Sequence, residues 1–419
     1  MQNPQVSIIV PIFNVQSYLK ECLQSICSQS YANLDIILID DESTDESLNL
    51  ALEFAKKDER IFVVSKPNGG QASARNLGLE FIKGSGLRNF FNAKINNKFK
   101  SLKQSKSFEK DDKNIDEKEL NKHFTQLDLN HIKSNLVNVS NFLIQDLPKD
   151  ALIHFVDSDD YLDKDCIKLC VDELLKNNLD IITHNHKEFY QNAKDFALTR
   201  FSKFHKAKNE YESGLNFLVE NKIYDFYFTW QGLFKAEILN RYNLRFSEGI
   251  YHEDHDFGTL LFCLANKISH IDKALYFYRQ RANSTMTSQN NKTFPQKLPY
   301  FLEPLRDDFK DYKDLRAYFK AYCFVLVGFS IWRFYTQKSL KDEAFERKYK
   351  DFFSKSTLSY MKIFKSPLNP DSLHIKKLLQ KISFPKWLVW WDFIKDLHRQ
   401  PKKIRYIKNI KYLLQKEKQ

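Results

Sequence analysis

Leu152-Ile153-His154-Phe155-Val156-Asp157-Ser158-Asp159-Asp160 is the stretch whose reading decides the fold. Its first five residues form an apolar run of strand length. Its last four put three carboxylates at the mouth of that strand, where they repel one another unless a cation sits among their oxygens. Asp157 and Asp159 alternate along the chain and can reach one hard divalent ion, Mn²⁺ or Mg²⁺, while Ser158 points elsewhere. Such an ion keeps open positions for diphosphate oxygens. A solvated acidic turn, capping a helix that starts near Asp165, is the competing reading of these residues alone.

The upstream sequence supplies the context. Val6-Ser7-Ile8-Ile9-Val10 reads as a strand stopped by Pro11, and Val15, Tyr18, Leu19, Cys22, Leu23 and Ile26 recur at helical spacing. Asp35 to Asp40 is a second strand of continuous apolar character, as expected when both sheet faces are covered. A polar turn, Asp40 to Asp45, leads into a helix carrying Leu48, Ala51, Leu52 and Ala55. Ile61 to Val64 is a third strand. Asn68-Gly69-Gly70 then breaks the chain before a helix over 73–82. Strand-helix alternation predicts a mostly parallel α/β sheet, whose ligand crevice lies beyond the carboxyl ends of the strands. Asp40 and Asp41, the glycine turn, and Asp157 with Asp159 all fall at such ends.

These residues together resemble family 2 glycosyltransferases. The resemblance rests on Val6–Asn14, Ile39–Asp45, Asn68–Asn76 and Phe155–Asp160, in the family's order, and covers about residues 4–83 and 151–286. It implies a GT-A fold, a nucleotide-sugar donor with UDP as the commonest nucleotide, a divalent metal, and inversion at the anomeric carbon. Asp41 resembles the aspartate that accepts a hydrogen bond from the nucleobase, with Pro11 and Phe13 shaping that pocket and Asp40 on the ribose side. Arg75 follows the glycine turn, where a fixed guanidinium can meet phosphate or a nearby aspartate. Asp157 and Asp159 resemble the family's D-x-D pair, with Asp159 the more direct metal ligand. Tyr251 to Phe257 resembles the family's Glu-Asp motif. It implies Asp254 as the base that takes the acceptor hydroxyl proton and Glu253 as its orienter, against the alternative of acids suiting a helix N-terminus. Arg279 or Arg281 is placed to reach the diphosphate, an ordinary basic loop being the alternative.

Three features depart from the family pattern. Glu42 stands where a glycine is usual, Gly232 stands where a lysine is common, and residues 85–150 interrupt the match just before the D-x-D strand. That 66-residue segment carries 12 basic and 9 acidic side chains, and is expected to be helical at both ends around a solvated middle. The expected organisation is therefore a nucleotide-binding half (1–84), the insertion (85–150), a metal- and acceptor-binding half (151–290) and a helical C-terminal region (291–419). Trp230 to Leu239 and Glu253 to Ala265 read as helices, and Lys267–Ile271 and Ala274–Tyr278 as two strands.

Six cysteines without a C-x-x-C pair suit a reducing cytoplasm. The most apolar stretch, Ala321 to Ile331, is about half a membrane span and reads as a buried helix. With no Q-x-x-R-W motif either, a processive polysaccharide synthase is not expected. Of the net charge of +12, the last 48 residues hold 13 Lys/Arg against three acids, leaving the body near neutral. Trp387, Trp390 and Trp391 lie among those cations, a combination that suits an anionic membrane surface. A basic helix packed on the body by its Trp face is the alternative. No nucleic-acid motif accompanies the charge, so no nucleic-acid partner is expected. The expectation is an inverting enzyme on the inner face of the cell membrane, adding one sugar to a glycan or lipid-linked acceptor in surface-glycan synthesis. A non-catalytic nucleotide-sugar or glycan-binding module is the alternative.

Overall fold

The computed structural model describes residues 3–93, 102–105, 113–140, 142–144, 147–190, 196–199, 210–281, 292–361, 368–382, 384, 386–399 and 404–414. The chain divides into two compact units. One comprises Met1–Phe217, Phe228–Gly249 and Leu261–Arg281; the other comprises Leu218–Tyr227, Ile250–Leu260 and Ala282–Gln419.

In the first unit, strands and helices alternate from the start: β1 (Val6–Ile12), α1 (Gln16–Cys27), β2 (Leu34–Asp41), α2 (Ser47–Lys57), β3 (Ile61–Lys66) and α3 (Gly70–Glu80). Every residue of β1 and β2 is buried, which is why their sequences are nearly unbroken apolar runs. The two strands pair in parallel, as do β2 and β3. α1 turns Leu19, Cys22, Leu23 and Ile26 into the core, the stripe its periodicity predicts.

Residues 85–150 carry α4 (Gly86–Ala93), β4 (Leu102–Ser105), β5 (Lys113–Ile115), α5 (Glu117–His123), β6 (Phe124–Asp128), β7 (His131–Ser134) and β8 (Leu143–Ile144). The helix expected at the upstream end is α4. The downstream end differs from the expectation: it holds strands, and two of them extend the main sheet. β7 lies parallel to β3 and β6 turns back antiparallel along it. The physical reason is that β3 would otherwise be an open edge with a row of unpaired N–H and C=O groups. Phe124 and Phe142 seal the addition, in edge contacts with Phe81 and with each other.

The remaining elements are β9 (Leu152–Phe155), β10 (Tyr161–Leu162), α6 (Cys166–Lys176), β11 (Ile181–Tyr190), β12 (Phe196–Thr199), β13 (Glu210–Tyr211), α7 (Gly214–Glu220), β14 (Gly232–Lys235), α8 (Glu237–Asn240), α9 (Glu253–Leu264) and β15 (Ile268–Gln280). The sheet runs β10-β15-β11-β14-β9-β1-β2-β3-β7-β6. β9 is parallel to β1, so Asp157 emerges at the same end of the sheet as Asp40 and Asp41. The helix expected over Trp230–Leu239 is corrected here. Residues 232–235 form a central strand, antiparallel to both β9 and β11, and only 237–240 are helical. Gly232 is what permits it: a Cβ there would lie 2.1 Å from the Ile182 carbonyl oxygen. The two strands expected over 267–278 are one, β15, with its register against β11 shifting around Asn185.

The second unit is helical: α10 (Tyr312–Ser339), α11 (Glu343–Tyr360), α12 (Ile375–Gln380), α13 (Lys386–Arg399) and α14 (Ile410–Leu414). Asp311 and Asp342 cap α10 and α11 by accepting first-turn N–H bonds. α10 meets α11 at Gly328, where a Cβ would stand 3.0 Å from the Thr357 carbonyl oxygen. Ala321 to Ile331 is the middle of α10, with Cys323, Val325, Val327 and Ile331 buried, as its composition predicts. By length and composition α10 alone among the described residues could cross a membrane, and 56% of its apolar window is buried inside the protein.

Candidate active site

Asp157, Ser158, Asp159 and Asp160 leave β9 toward β10, and each carboxylate meets a different environment. Asp157 Oδ1 accepts from an Arg75 terminal nitrogen at 2.7 Å and from Gln71 Nε2 at 2.9 Å. Both donors sit on α3, immediately after the glycine turn. Asp159 pairs with Arg281 Nε at 2.7 Å. Burial raises the Asp159 carboxyl, and repulsion from Asp157 adds to it, while Arg281 offsets the rise. Asp160 is fully buried and serves the scaffold: its oxygens accept from the Tyr276 hydroxyl (2.9 Å) and the Arg279 N–H (2.7 Å). Burial pushes its carboxyl well up.

Two arginines therefore stand against the two carboxylates of the D-x-D pair. The Arg75 side chain is buried and lies 5.3 Å from the Phe246 ring centre, so its position is fixed by packing as well as charge. Arg279 is also held, by the Asp159 carbonyl (2.8 Å) and by Glu21, between the rings of Tyr18 and Phe189. Of the two arginines the sequence offered for a diphosphate, Arg281 faces the acidic pair and Arg279 braces the loop that carries it. The donor set suits a hard divalent ion: two carboxylates separated by a single residue at the carboxyl end of the sheet.

The carboxyl ends of β1 and β2 form the second cluster. Asp41 Oδ1 accepts from Lys66 Nζ at 2.8 Å and from the Gly69 N–H at 2.9 Å, and Oδ2 accepts from the Gly70 N–H at 2.8 Å. Its carboxyl is raised by burial, with Lys66 the largest offset. Asp41 thus ties β2 to the glycine turn that opens α3. Asp40 Oδ2 accepts weakly from the Ser43 N–H at 3.3 Å, while Oδ1 is buried without a partner among the described residues. Pro11 is buried within β1, and two residues on Phe13 exposes its ring. Asn14 then staples β1 to the β2 turn, receiving the Thr44 N–H at 2.8 Å and donating its own N–H to Ser43 Oγ at 3.1 Å.

Glu42 adopts φ +66, the left-handed conformation that favours glycine. The turn the family builds with glycine is kept here, at a cost of roughly 1–2 kcal/mol. Gly232 is equally determined by its neighbours: the β11 backbone fills the space a lysine would need.

Glu253 and Asp254 open α9 in the second unit, with Asp256 in the same first turn. Glu253 is buried and Asp254 half-buried. Ligand atoms of His252, Asp254 and His255 lie within 4.8 Å of one another, and His255 Nδ1 pairs with Asp225 at 3.1 Å. The carboxylate expected to act as base is therefore flanked by two imidazoles.

Sequence reading passed over three contributors. Gln71 shares Asp157 with Arg75, and Lys66 holds Asp41. The Tyr276 hydroxyl receives the Asp157 N–H at 3.0 Å while donating to Asp160. Gln71 and Lys66 flank the Asn68-Gly69-Gly70 motif and were within its reach. Tyr276 comes from β15, more than a hundred residues on, and carries no local signal.

A family model described as Glycosyl transferase family 2 matches residues 7–87. Among curated relatives, the glycosyltransferase EpsJ of Bacillus subtilis (strain 168) is 26% identical over 294 residues, covering 67% of this chain and 62% of its own. Glycosyltransferase GlyA of Streptococcus pneumoniae serotype 4 is 25% identical over 285 residues, covering 67% of this chain and 31% of its own. The chain thus spans about three fifths of the first and a third of the second. Among solved structures, residues 1–349 of S. aureus TarS in complex with UDP-GlcNAc align with a TM-score of 0.56 at 17% identity, covering 98% of this chain and 89% of that one. That likeness is one of fold.

Proposed function

We propose that this chain, which belongs to the family 2 glycosyltransferases and has the GT-A fold, moves one sugar from a nucleoside diphosphate sugar to a hydroxyl of a glycan or lipid-linked acceptor, with inversion. The observation that carries the reading is the pairing of Asp157 and Asp159 with Arg75 and Arg281 at the carboxyl end of the sheet. Alternating carboxylates and guanidiniums suit a diphosphate bridged by a metal. Mn²⁺ or Mg²⁺ held by Asp157 and Asp159 would neutralise the departing diphosphate. Arg281 and Arg75, which face those carboxylates, would lie beside the diphosphate oxygens of a bound donor.

The exposed Phe13 ring and the unpartnered Asp40 Oδ1 support a nucleobase and ribose site at the ends of β1 and β2. Asp41, already holding Lys66 and both glycine N–H groups, has one Oδ2 lone pair left for a nucleobase N–H. A uridine nucleotide is the donor class we carry over from TarS, whose complex holds UDP-GlcNAc. Asp254 is assigned as base and Glu253 as its orienter. The acceptor class, a surface glycan, is carried over from the sequence resemblance. The tail supports work at the inner face of an anionic membrane: α13 packs through Leu388, Val389 and Phe393 and leaves Trp387, Trp390 and Trp391 exposed.

A panel of nucleotide sugars tests the reading, scored by release of nucleoside diphosphate with Mn²⁺, Mg²⁺ or excess chelator. We expect metal-dependent turnover of one donor, abolished by Asp159→Ala in a protein with unchanged circular dichroism. Tight donor binding without turnover, in the presence of acceptor glycans, would favour the binding-module alternative. Full activity in chelator would remove the metal.

A further inference from the structure

His154, Cys166 and His184 converge in the core of the first unit, away from the transfer site, and nothing in the proposed reaction uses them. His154 lies on β9, His184 on β11 and Cys166 at the start of α6, and all three are fully buried. Their ligand atoms lie within 4.8 Å of one another. The two imidazole Nε2 atoms are 3.3 Å apart, and Cys166 Sγ is 3.9 Å from His184 Nε2.

These separations match the edges of a metal tetrahedron. Two nitrogens at about 2.05 Å from Zn²⁺ with a tetrahedral angle are about 3.3 Å apart, and a nitrogen-sulfur edge is about 3.6 Å. The nitrogen spacing equals such an edge, but the two rings lie nearly in line, with centroids 5.7 Å apart and planes 10° apart, so both imidazoles must tilt and the sulfur must close in for the three to converge on one ion. His184 is also prepared for the role. Its Nδ1 lies 2.9 Å from the Asn185 carbonyl oxygen, which can only accept, so Nδ1 carries the proton and Nε2 presents its lone pair to the cluster. A main-chain carbonyl on the far ring nitrogen is the usual outer partner of a ligating histidine. Burial holds both imidazoles in the neutral, ligating form. It also pushes the Cys166 thiol up, and that thiol shares a hydrogen bond with Cys170 one helical turn away.

We propose that His154 Nε2, His184 Nε2 and Cys166 Sγ form a buried site for one thiophilic divalent ion, with Zn²⁺ the fitting member of that class. Binding replaces the Cys166 S–H proton, which leaves to solvent as the thiolate–metal bond forms. The site joins β9, β11 and α6, and His154 stands three residues before Asp157. The ion would therefore anchor the strand that delivers the acidic pair. Without it, His154 donates its Nε2–H to His184 Nε2, and in either state His154 Nδ1 has no hydrogen-bond partner among the described residues.

Untagged full-length protein, incubated with Zn²⁺ and gel-filtered, is assayed for zinc by mass spectrometry. We expect about one equivalent retained by wild type and by Asp159→Ala, whose change lies outside the cluster, and less than a tenth of that by Cys166→Ser. Cobalt substitution adds a readout independent of the variant: wild type should show a thiolate-to-Co²⁺ charge-transfer band. Wild type with no retained zinc and no such band overturns the proposal. So does Cys166→Ser retaining zinc at the wild-type level. Loss of zinc in Asp159→Ala with retention in Cys166→Ser would place the ion at the acidic pair and overturn it equally.

Discussion

Asp254 is the residue we propose as the base, and its surroundings sharpen the test of that role. The carboxylate sits half-buried beside His252 and His255 at the start of α9. Asp254→Asn keeps the shape and cannot accept a proton. We expect donor affinity within about threefold of wild type and turnover lower by roughly 10²-fold or more. Joint loss of donor binding and rate, measured by titration calorimetry and product release, would move Asp254 to the donor side. His252, its neighbour, yields a pH prediction. It stacks on Phe324 at 4.7 Å with φ +67, and burial, with His255, Lys320 and Arg316 adding, pushes it down to about 3 against the pull of Asp225. Below its unfolded pKa of about 6.5 the unfolded chain takes up a proton that the fold refuses. This contribution is therefore complete above about pH 6.5 and is lost as pH falls toward 3, by up to about 1.4 kcal/mol per pH unit. His252→Asn, which tolerates the left-handed backbone, should flatten the acid limb of urea stability between pH 6.5 and 4.5. An unchanged limb would assign the acid sensitivity elsewhere.

Elements here are placed by partners more than by propensity. β14 shows it best, because Trp230–Leu239 has the spacing of a helix and yet its middle is a central strand. Short apolar windows are ambiguous between the two periods, and pairing on both edges decides the outcome. Gly232→Ala puts this to a number. In an ordinary strand such a change is mild, but here the new Cβ meets the Ile182 carbonyl oxygen and the Thr183 Cα. Overpacking against backbone with nowhere to move should cost about 3 kcal/mol or more, read from the urea midpoint. A loss below about 1 kcal/mol would mean that the β11–β14 pair has slack. The same logic explains β6 and β7. At five and four residues their sequences are too short to declare a period, and their strand character follows from the free edge of β3.

At the scale of the whole molecule, the charge asymmetry belongs to the last 48 residues, and the aromatic face of α13 lies within them. Trp387 is 64% exposed and Trp391 61%, with Ile394 and Leu397 continuing the same stripe. The buried positions of α13 are Leu388, Val389 and Phe393, not the tryptophans on which the alternative of a Trp face packed on the body relied. The proposed anionic membrane surface rests on this exposed Trp stripe within a tail that holds 13 basic residues. The variant W387S/W390S/W391S should leave α13 packed. It should lower binding to phosphatidylglycerol vesicles at least tenfold by sedimentation, and spare turnover on a soluble acceptor analogue. High salt should release the wild type only in part, because each Lys or Arg adds about 1 kcal/mol that salt screens and the rings add a part it does not. Equal vesicle binding by variant and wild type would sink the membrane reading.

The sequence by itself determined the alternation of β1, β2 and β3 with their helices, the acidic end of β9, and the family. Each of these is written locally, as apolar runs, turn residues and motifs of a few positions. The helical character of the C-terminal region was legible too, though its caps at Asp311 and Asp342 were not read from the sequence. What only the tertiary structure decided is whatever depends on residues far apart in the chain meeting. It gave Asp157 to Arg75 and Gln71, set Arg281 rather than Arg279 against Asp159, and brought Tyr276 under the acidic loop. It placed β14 and the insertion's strands in the sheet, and drew His154, His184 and Cys166 together. A period or a motif records what one segment prefers; a shared neighbour is fixed only when strands pair and helices pack over them.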